Sequence, residues 1–406
     1  MPDKKSIKQG LRVPYALAVF GDEEIMAVTE VMKTPMIVPG ARVREFERKI
    51  SSLFAKKYGV MVNSGSSANL IALEIARLPI GSEIITPVLT FGTTLSPIFQ
   101  KGLIPAFVDV EMATYQIDIA RVEKMVTQKT KAMMIPSLIG NIPNYPELKE
   151  IATKHNLLLI EDSCDTLGAT IDGMSTGKFS DISTTSFYAS HVITTAGHGG
   201  MLCFNNENWF DRAKTLVGWG RSSAKNETES IDSRFAINVD GIPYDSKFVF
   251  EELGYNFQSS DIDAAFGLAQ FDKLNDFSQK RKVNFSKLHS YFKKYEEYFV
   301  LPKQQPNVDT CWLAFPLTIR ECVGFKRREL LVYLEEYNIQ TRPLFTGNVI
   351  RQPAFKNLQY KQDSLGYEIA DQIMENSFVV GCHQGITDVH IDYMKEVFEA
   401  FLKSRR

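Results

Sequence analysis

The first two-thirds of this chain alternate apolar, strand-like runs with segments of helical spacing, and this alternation constrains the fold more than any other feature. The runs SEIITPVLT, LIPAFVDVE and NLLLIEDSCD are predominantly apolar, which is typical of strands buried on both faces of a sheet. Segments such as SSANLIALEIARL separate them. Strands alternating with helices predict an α/β fold with a mostly parallel central sheet. Ligands bind such sheets at the carboxyl ends of the strands.

The pattern changes from about Phe271. A long charged amphipathic segment, FSQKRKVNFSKLHSYFKKYEEYF, is followed by short strands such as TCWLAFPLTI and helices such as IDYMKEVFEAFLKS. We therefore expect a large domain over residues 1–270 and a smaller α+β C-terminal domain over residues 271–406.

Composition and charge exclude several classes of function. The chain has 406 residues and a formal net charge of −2, so it offers no general basic surface for nucleic acid. No apolar run approaches the ~20 residues that span a bilayer, which predicts no membrane segment. The N-terminal MPDKKSIKQGLRVP lacks the apolar core of a signal peptide. These features predict a cytoplasmic protein.

The cysteines show neither CxxC nor CxC spacing, which predicts neither a zinc site nor a local iron–sulfur site. We expect free thiols in a reducing compartment and no bound metal. The cysteines are Cys164, Cys203, Cys311, Cys322 and Cys382.

A serine-rich turn, NSGSSA, joins a predicted strand to a predicted helix. Gly65 permits close approach of the backbone, and the free N–H groups at a helix start form an anion site suited to a phosphate. Ser66 and Ser67 stand beside it. A turn of this composition also serves as an ordinary helix cap.

Two carboxylates, Asp162 and Asp165, follow the apolar strand LLLIE. A carboxylate at such a position is costly unless it meets a positive partner. A protonated pyridine nitrogen is one such partner, and an Asp that keeps it protonated makes pyridoxal phosphate an electron sink. A helix cap or a metal ligand is the alternative.

A third polar segment, TSFYASH, ends another strand and precedes the glycine-rich VITTAGHGG. It places Ser186, Tyr188 and His191 near one strand end. A histidine without such neighbours is usually structural, and His198 in the following loop is interpreted as a loop or surface residue.

The order of these motifs resembles the sugar aminotransferase family called DegT/DnrJ/EryC1/StrS, which has the aspartate-aminotransferase fold, type I. The resemblance runs nearly end to end and rests on VREFE, NSGSSA, EDSCDTLGA, SFYASH, GHGG and LGYNFQSSDIDAA. It implies a pyridoxal or pyridoxamine phosphate cofactor. Ser66, Ser67 and the backbone at Gly65 would hold the cofactor phosphate.

The resemblance also implies roles for four other residues. Phe91 would stack on the pyridine ring, and Asp162 would pair with the ring nitrogen. Ser186 would add a phosphate contact. Asn256 would reach the partner's phosphate across a dimer interface, which implies a homodimer with shared active sites.

Two positions depart from the aminotransferase pattern. His191 stands where the family carries the lysine that binds the cofactor covalently, and Asp165 stands where it usually carries glutamine. Together these changes resemble the branch of the family that removes the C3 hydroxyl of nucleotide-linked 4-keto-6-deoxy sugars, on the way to 3,6-dideoxy sugars of lipopolysaccharide O-antigens. Histidine cannot form a Schiff base, and its ordinary pKa of ~6.5 suits it to take and return a proton.

One group within this branch, acting on CDP-linked sugars, carries an iron–sulfur cluster whose cysteines follow a WGR segment. Here that stretch reads WGRSSAKNETESIDSRF, without cysteine, so we expect no iron–sulfur cluster. Regeneration of pyridoxamine phosphate from L-glutamate, as in dehydratases acting on GDP-linked sugars, is then the simpler route. Whether a reductase takes part stays open.

Substrate contacts are assigned to Tyr188, Arg342 and Asn348. The guanidinium fork of an arginine matches the phosphate oxygens of a nucleotide sugar, although Arg342 also fits an ordinary surface residue. The base is not indicated, so CDP, GDP and dTDP stay open. The alternatives to a lyase of this type are a nucleotide-sugar aminotransferase and a non-catalytic sugar- or cofactor-binding homologue.

Overall fold

The fold is described from a computed structural model, which covers residues 11–35, 37–225 and 230–405. Residues 1–10, on which the expectation about a signal peptide partly rests, lie outside the described residues. The same holds for residues 226–229, within the stretch that follows WGR.

The described chain contains helices and strands in alternation. The strands are β1 (Tyr58–Val62), β2 (Glu83–Pro87), β3 (Ile104–Val108), β4 (Thr130–Pro136), β5 (Leu158–Asp162), β6 (Thr170–Ile171), β7 (Met174–Ser175), β8 (Ile182–Ser186), β9 (Gly200–Phe204), β10 (Ile237–Val239), β11 (Ile242–Tyr244), β12 (Phe299–Val300), β13 (Val308–Asp309), β14 (Phe315–Ile319), β15 (Thr341–Arg342) and β16 (Ser377–Val380). The α-helices are α1 (Asp22–Met32), α2 (Ala41–Leu53), α3 (Gly65–Ala76), α4 (Gly92–Gln100), α5 (Ile119–Val122), α6 (Tyr145–Lys154), α7 (Glu207–Val217), α8 (Ile231–Phe235), α9 (Asp261–Asp272), α10 (Leu274–Phe292), α11 (Arg327–Glu336), α12 (Glu368–Asn376) and α13 (Asp388–Lys403).

A 7-stranded sheet in the order β1-β9-β8-β5-β4-β2-β3 forms the centre of the fold. Every neighbouring pair from β8 to β3 is parallel, whereas β9 runs antiparallel to both β8 and β1. The expected α/β fold with a mostly parallel sheet is therefore confirmed. The glycines that precede β9 concealed this strand in the sequence.

The carboxyl edge of this sheet collects the polar segments identified in the sequence. β1 leads into Asn63 and Ser64, β5 ends at Asp162, and β8 ends at Ser186. The antiparallel β9 begins at the same edge, where Gly199 pairs with Ser64. The parallel arrangement thus brings residues distant in sequence to one edge.

The C-terminal part builds a second, antiparallel sheet in the order β12-β14-β16-β15. An aromatic cluster packs beneath it, in which the Phe292 and Phe398 rings lie 4.9 Å apart. One hydrophobic core runs from the central sheet into this part of the chain. The division at 270/271 falls inside α9 and stays a prediction.

The second helix was predicted to extend too far at its C-terminal end. The VREFE helix was expected to continue to Gly59, but α2 ends at Leu53. Ala55 adopts a left-handed backbone with φ of 52°, and the buried Lys56 donates from Nζ to the Ser180 carbonyl at 2.6 Å. This contact turns the chain into β1. Among the described helices, none is both long enough and apolar enough to cross a membrane.

The start of α2 depends on a carboxylate from α9. Asp261 accepts hydrogen bonds from the backbone N–H groups of Gly40 at 2.8 Å and Val43 at 3.0 Å. We expect Asp261→Ala to lower the free energy of unfolding by ~1–3 kcal/mol, because buried donors lose their acceptor. The matched control is Asp272→Ala, whose exposed ion pair with Lys49 is worth only ~0–1 kcal/mol. Equal losses in urea unfolding of the two variants would contradict this account.

Candidate active site

A cavity of about 270 Å³ lies at the carboxyl edge of the central sheet. It brings together most of the site residues that the sequence indicated. Those on its wall are Gly65, Ser66, Phe91, Asp162, Asp165, Ser186, Tyr188 and His191.

Two helices begin at this cavity. The Ser64 side chain caps α3 by accepting from the Ser67 N–H at 3.1 Å. The hydroxyl of Ser66 donates to Thr93 Oγ1 at 2.9 Å, which joins the first turns of α3 and α4. No side chain caps the N-terminus of α4. Two helix starts with polar hydroxyls between them form a site for an anion such as a phosphate.

Gly65 is a steric requirement of this arrangement. A Cβ at this position would stand 2.6 Å from Ser186 Cβ and 2.7 Å from Cys164 Sγ. The first turn of α3 therefore packs directly against the end of β8 and the loop after β5. Only glycine permits this approach without displacing one of those segments.

Asp162 is buried and fixed by three donors. Its Oδ2 accepts from Asn69 Nδ2 and Thr94 Oγ1, each at 2.8 Å. Its Oδ1 accepts from the Cys164 N–H at 3.2 Å. Asn69 is oriented in turn by Thr184, whose hydroxyl donates to it at 2.6 Å. These donors hold the carboxylate as an oriented acceptor facing the cavity.

Asp165 lies in a different environment from Asp162. One of its oxygens accepts from the Ile139 N–H at 2.7 Å. Burial raises the pKa of the Asp165 carboxyl to about 7, and the charge of Asp162 adds to the rise. Burial therefore favours the protonated, neutral form of the Asp165 carboxyl.

His191 lies on the loop after β8, partly buried, with Tyr188 beside it. The ring centroids of Tyr188 and His191 are 6.0 Å apart in an edge-on arrangement. Nδ1 lies 3.3 Å from the Ser186 carbonyl, and a carbonyl only accepts, so this contact places the proton on Nδ1 and the lone pair on Nε2. Burial lowers the pKa of His191 to about 4. The imidazole is therefore neutral at physiological pH.

His198 and Phe345 are among the wall residues that were not assigned to the site from the sequence. His198 borders the cavity, with its Nε2 3.7 Å from Asp263 Oδ1. Phe345 comes from the C-terminal part of the chain and meets the Phe91 ring edge-on at 5.7 Å. No lysine is found on this wall within the described residues.

Four residues indicated by the sequence do not line the cavity. The Ser67 hydroxyl donates to Asn63 at 2.7 Å. Asn348 is buried and donates to Asp371 at 2.7 Å. Arg342 is exposed and lies over the Tyr15 ring at 5.7 Å. Asn256 is exposed and pairs through its backbone with Gly218. Their proposed roles stay predictions.

The donor set fits pyridoxal or pyridoxamine phosphate. Paired helix starts match a phosphate, the Gly65 backbone leaves room that a Cβ would fill, and Asp162 matches a protonated ring nitrogen. Within the parts of the chain that the structure describes, no group of three or more His, Cys, Asp or Glu side chains is placed to hold a metal ion.

Known proteins share the sequence pattern and the fold of this chain. A profile of the DegT/DnrJ/EryC1/StrS aminotransferase family matches residues 19–399, which confirms the resemblance seen in the motifs. The lipopolysaccharide biosynthesis protein RfbH of Salmonella typhimurium is 38% identical, over 96% of this chain and 91% of its own. The dTDP-4-dehydro-2,6-dideoxy-D-glucose 3-dehydratase of Saccharopolyspora spinosa is 36% identical, over 95% of this chain and 85% of its own.

A solved structure gives the same fold. GDP-4-keto-6-deoxymannose-3-dehydratase, crystallised with a trapped PLP-glutamate geminal diamine, superposes with a TM-score of 0.85. It is 30% identical in sequence, and the match covers 95% of this chain and 99% of the other. The similarity extends across both sheets, so the expected aspartate-aminotransferase-like fold is confirmed.

The raised pKa of Asp165 predicts a pH dependence of stability. A carboxyl whose folded pKa exceeds its unfolded value of ~3.9 contributes stability at low pH that is lost as the pH rises towards about 7. In the cofactor-free protein, we expect Asp165→Asn to gain stability relative to the parent between about pH 4 and pH 8. Urea unfolding across this range measures it, with the exposed Asp211→Asn as control. A difference between Asp165→Asn and parent that does not change with pH would contradict the assignment.

Proposed function

Because this chain belongs to the DegT/DnrJ/EryC1/StrS aminotransferase family, we propose that it is a pyridoxamine- or pyridoxal-phosphate-dependent 3-dehydratase of a nucleotide-linked 4-keto-6-deoxyhexose. Such a lyase acts in the biosynthesis of 3,6-dideoxy sugars for lipopolysaccharide O-antigens. The observation that carries the proposal is a neutral histidine, His191, on the wall of a cofactor-sized cavity that presents no described lysine.

The cofactor would be held without a covalent bond. The phosphate would lie against the starts of α3 and α4, with Ser66, Gly65 and Ser186 around it. Asp162 would receive the ring nitrogen, and Phe91 would cover one face of the ring. When bound, pyridoxamine phosphate supplies an amine for the C4 ketone and an electron-accepting ring that permits loss of the C3 hydroxyl.

His191 would move the proton that this chemistry requires. With its proton on Nδ1, directed at the Ser186 carbonyl, the ring has its basic lone pair on Nε2. The lowered pKa keeps that lone pair free at neutral pH. After taking a proton, the imidazolium is a strong acid in this buried site and would return it to the departing hydroxyl.

The same geometry weighs against the two other functions. An aminotransferase of this family binds its cofactor through a lysine, whereas the described cavity wall carries His191 and no lysine. A homologue that binds sugar without the cofactor would not need Asp162 held by both Asn69 and Thr94, and one that binds the cofactor without catalysis is distinguished by its lack of turnover.

The substrate is proposed to be a nucleotide diphosphate sugar that enters beside Tyr188, an exposed wall residue. The named relatives act on dTDP-linked and GDP-linked sugars, so the nucleotide is to be determined by experiment. Arg342 and Asn348 stay proposed substrate residues. L-Glutamate is the proposed amino donor, supported by the relative crystallised with glutamate joined to its cofactor. We propose no iron–sulfur cluster and no requirement for a reductase.

We also propose a cytoplasmic homodimer with shared active sites. Asn256 is exposed and outside the cavity of its own chain, as expected of a residue that completes the partner's site. Large apolar side chains in the stretch just before Asn256 are open to solvent, with Phe250 59% and Leu253 98% exposed. Exposed apolar groups that cluster in this way are typical of protein interfaces.

Product mass tests the proposed function directly. The protein is incubated with pyridoxal phosphate, L-glutamate and a panel of CDP-, GDP- and dTDP-linked 4-keto-6-deoxy sugars, without a reductase. We expect a product that lacks one oxygen. The matched variant His191→Asn should hold the cofactor, as followed by its absorbance, and should lose ~10²–10⁴-fold in rate because the proton carrier is gone.

Two results would contradict the proposal. An aminated product that keeps its C3 hydroxyl would mean aminotransfer. Retention of cofactor without turnover of any sugar in the panel would favour the non-catalytic homologue.

A further inference from the structure

The guanidinium of Arg281, on α10, is fully buried at 0% exposure. No described carboxylate pairs with it, and the ionisable groups that affect it most are Cys311, Cys382 and Tyr15. Burying a cation without an anion is costly. The position of this side chain therefore needs a reason beyond packing.

Arg281 directs its donors at the main chain around His191. Its Nη2 donates to the His191 carbonyl at 3.1 Å. Its Nη1 donates to the carbonyls of Trp312 at 3.3 Å and Leu313 at 3.0 Å. Its Nε donates to Gln384 Oε1 at 2.7 Å. One rigid group thus joins the histidine loop to the segment that leads into β14.

Gln384 strengthens the same connection. Its amide donates from Nε2 to the Val192 carbonyl at 3.3 Å while its oxygen accepts from Arg281. Two consecutive carbonyls, those of His191 and Val192, are therefore anchored to the C-terminal part of the chain. Neither Arg281 nor Gln384 lines the cavity.

We propose that Arg281 is a positioning residue for the reaction: its buried guanidinium, together with Gln384, fixes the backbone of His191 and so places the imidazole against the cofactor cavity. This inference rests on the proposed function for its catalytic consequence. The placement itself is a property of the folded chain. A shift of ~1 Å in a reacting group costs ~10²-fold in rate.

The charge of Arg281 acts on the same histidine. Burial is the first cause of the lowered pKa of His191, and the positive charge of Arg281 lowers it further. Asp162, at the end of β5, opposes this. The other ionisable groups on the cavity wall are Cys164, Asp165, Tyr188 and His198. Removing the Arg281 charge should therefore raise the pKa of His191.

The test uses the holoenzyme and three variants. Arg281→Met removes the charge and the bonds, whereas Arg281→Lys keeps the charge and loses the planar fork. The matched control is Arg327→Met, because Arg327 also donates to main-chain carbonyls, those of Met374 and Ser377 at 2.7 and 2.9 Å. The readouts are kcat, KM and the titration of His191 by NMR with labelled histidine, assigned by comparison with His191→Asn.

For Arg281→Met, we expect kcat to fall by ~10²-fold with little change in KM, and the His191 titration to move to higher pH. Arg281→Lys should keep the His191 titration near that of the parent while kcat still falls. Arg327→Met should change neither kcat nor the His191 titration. Unchanged kcat and His191 titration in Arg281→Met would overturn the proposal.

If Arg281→Met does not fold, Arg281→Lys provides the test. A kcat of Arg281→Lys equal to that of the parent protein would likewise overturn the proposal. If the parent protein itself turns over no sugar, the proposed function fails, and the His191 titrations in the folded variants still test the placement.

Discussion

The buried carboxylate of Asp162 is the interaction on which the site depends. Asn69 from α3 and Thr94 from α4 each donate to the same oxygen, and Thr184 from β8 orients Asn69. One anion at the end of β5 thereby fixes two helices whose N-termini border the cavity. The same contacts would keep a constant distance between the proposed phosphate site and the proposed ring-nitrogen site. A cofactor that is not covalently held needs this rigidity, because its affinity depends on preorganised contacts.

Burial also sets the protonation states that the chemistry needs. It raises the pKa of Asp165 to about 7 and lowers the pKa of His191 to about 4, so burial shifts both groups towards their neutral forms. Environments that move titratable groups in opposite directions assign acid and base roles within one site. In the proposed reaction, a neutral His191 with its lone pair on Nε2 would act as the base, and the cofactor amine would stay free for the sugar.

Much of the fold was predictable because buried strands and amphipathic helices have characteristic patterns of apolar residues that are visible in the sequence. The wall residues Gly65, Asp162 and Ser186 were predictable because each ends a strand or begins a helix, whereas the role of His191, on the loop after β8, was indicated by the family resemblance. Asn69 was missed because an amide inside an apolar helix has no local pattern. Ser67 and Ser66 are neighbours of the same type, and only the turn geometry shows that Ser66 faces the cavity. Phe345 comes from the distant C-terminal part, a contact that spacing cannot indicate.

The central claim is that His191 occupies the point from which a lysine would bind the cofactor covalently. Intact-protein mass after incubation with pyridoxal phosphate and borohydride tests it, on the parent and on His191→Lys side by side. The account predicts an unmodified parent, and a variant that gains the mass of one reduced cofactor and no longer dehydrates the sugar. A variant that stays unmodified, or a parent that becomes modified, would contradict the placement of His191.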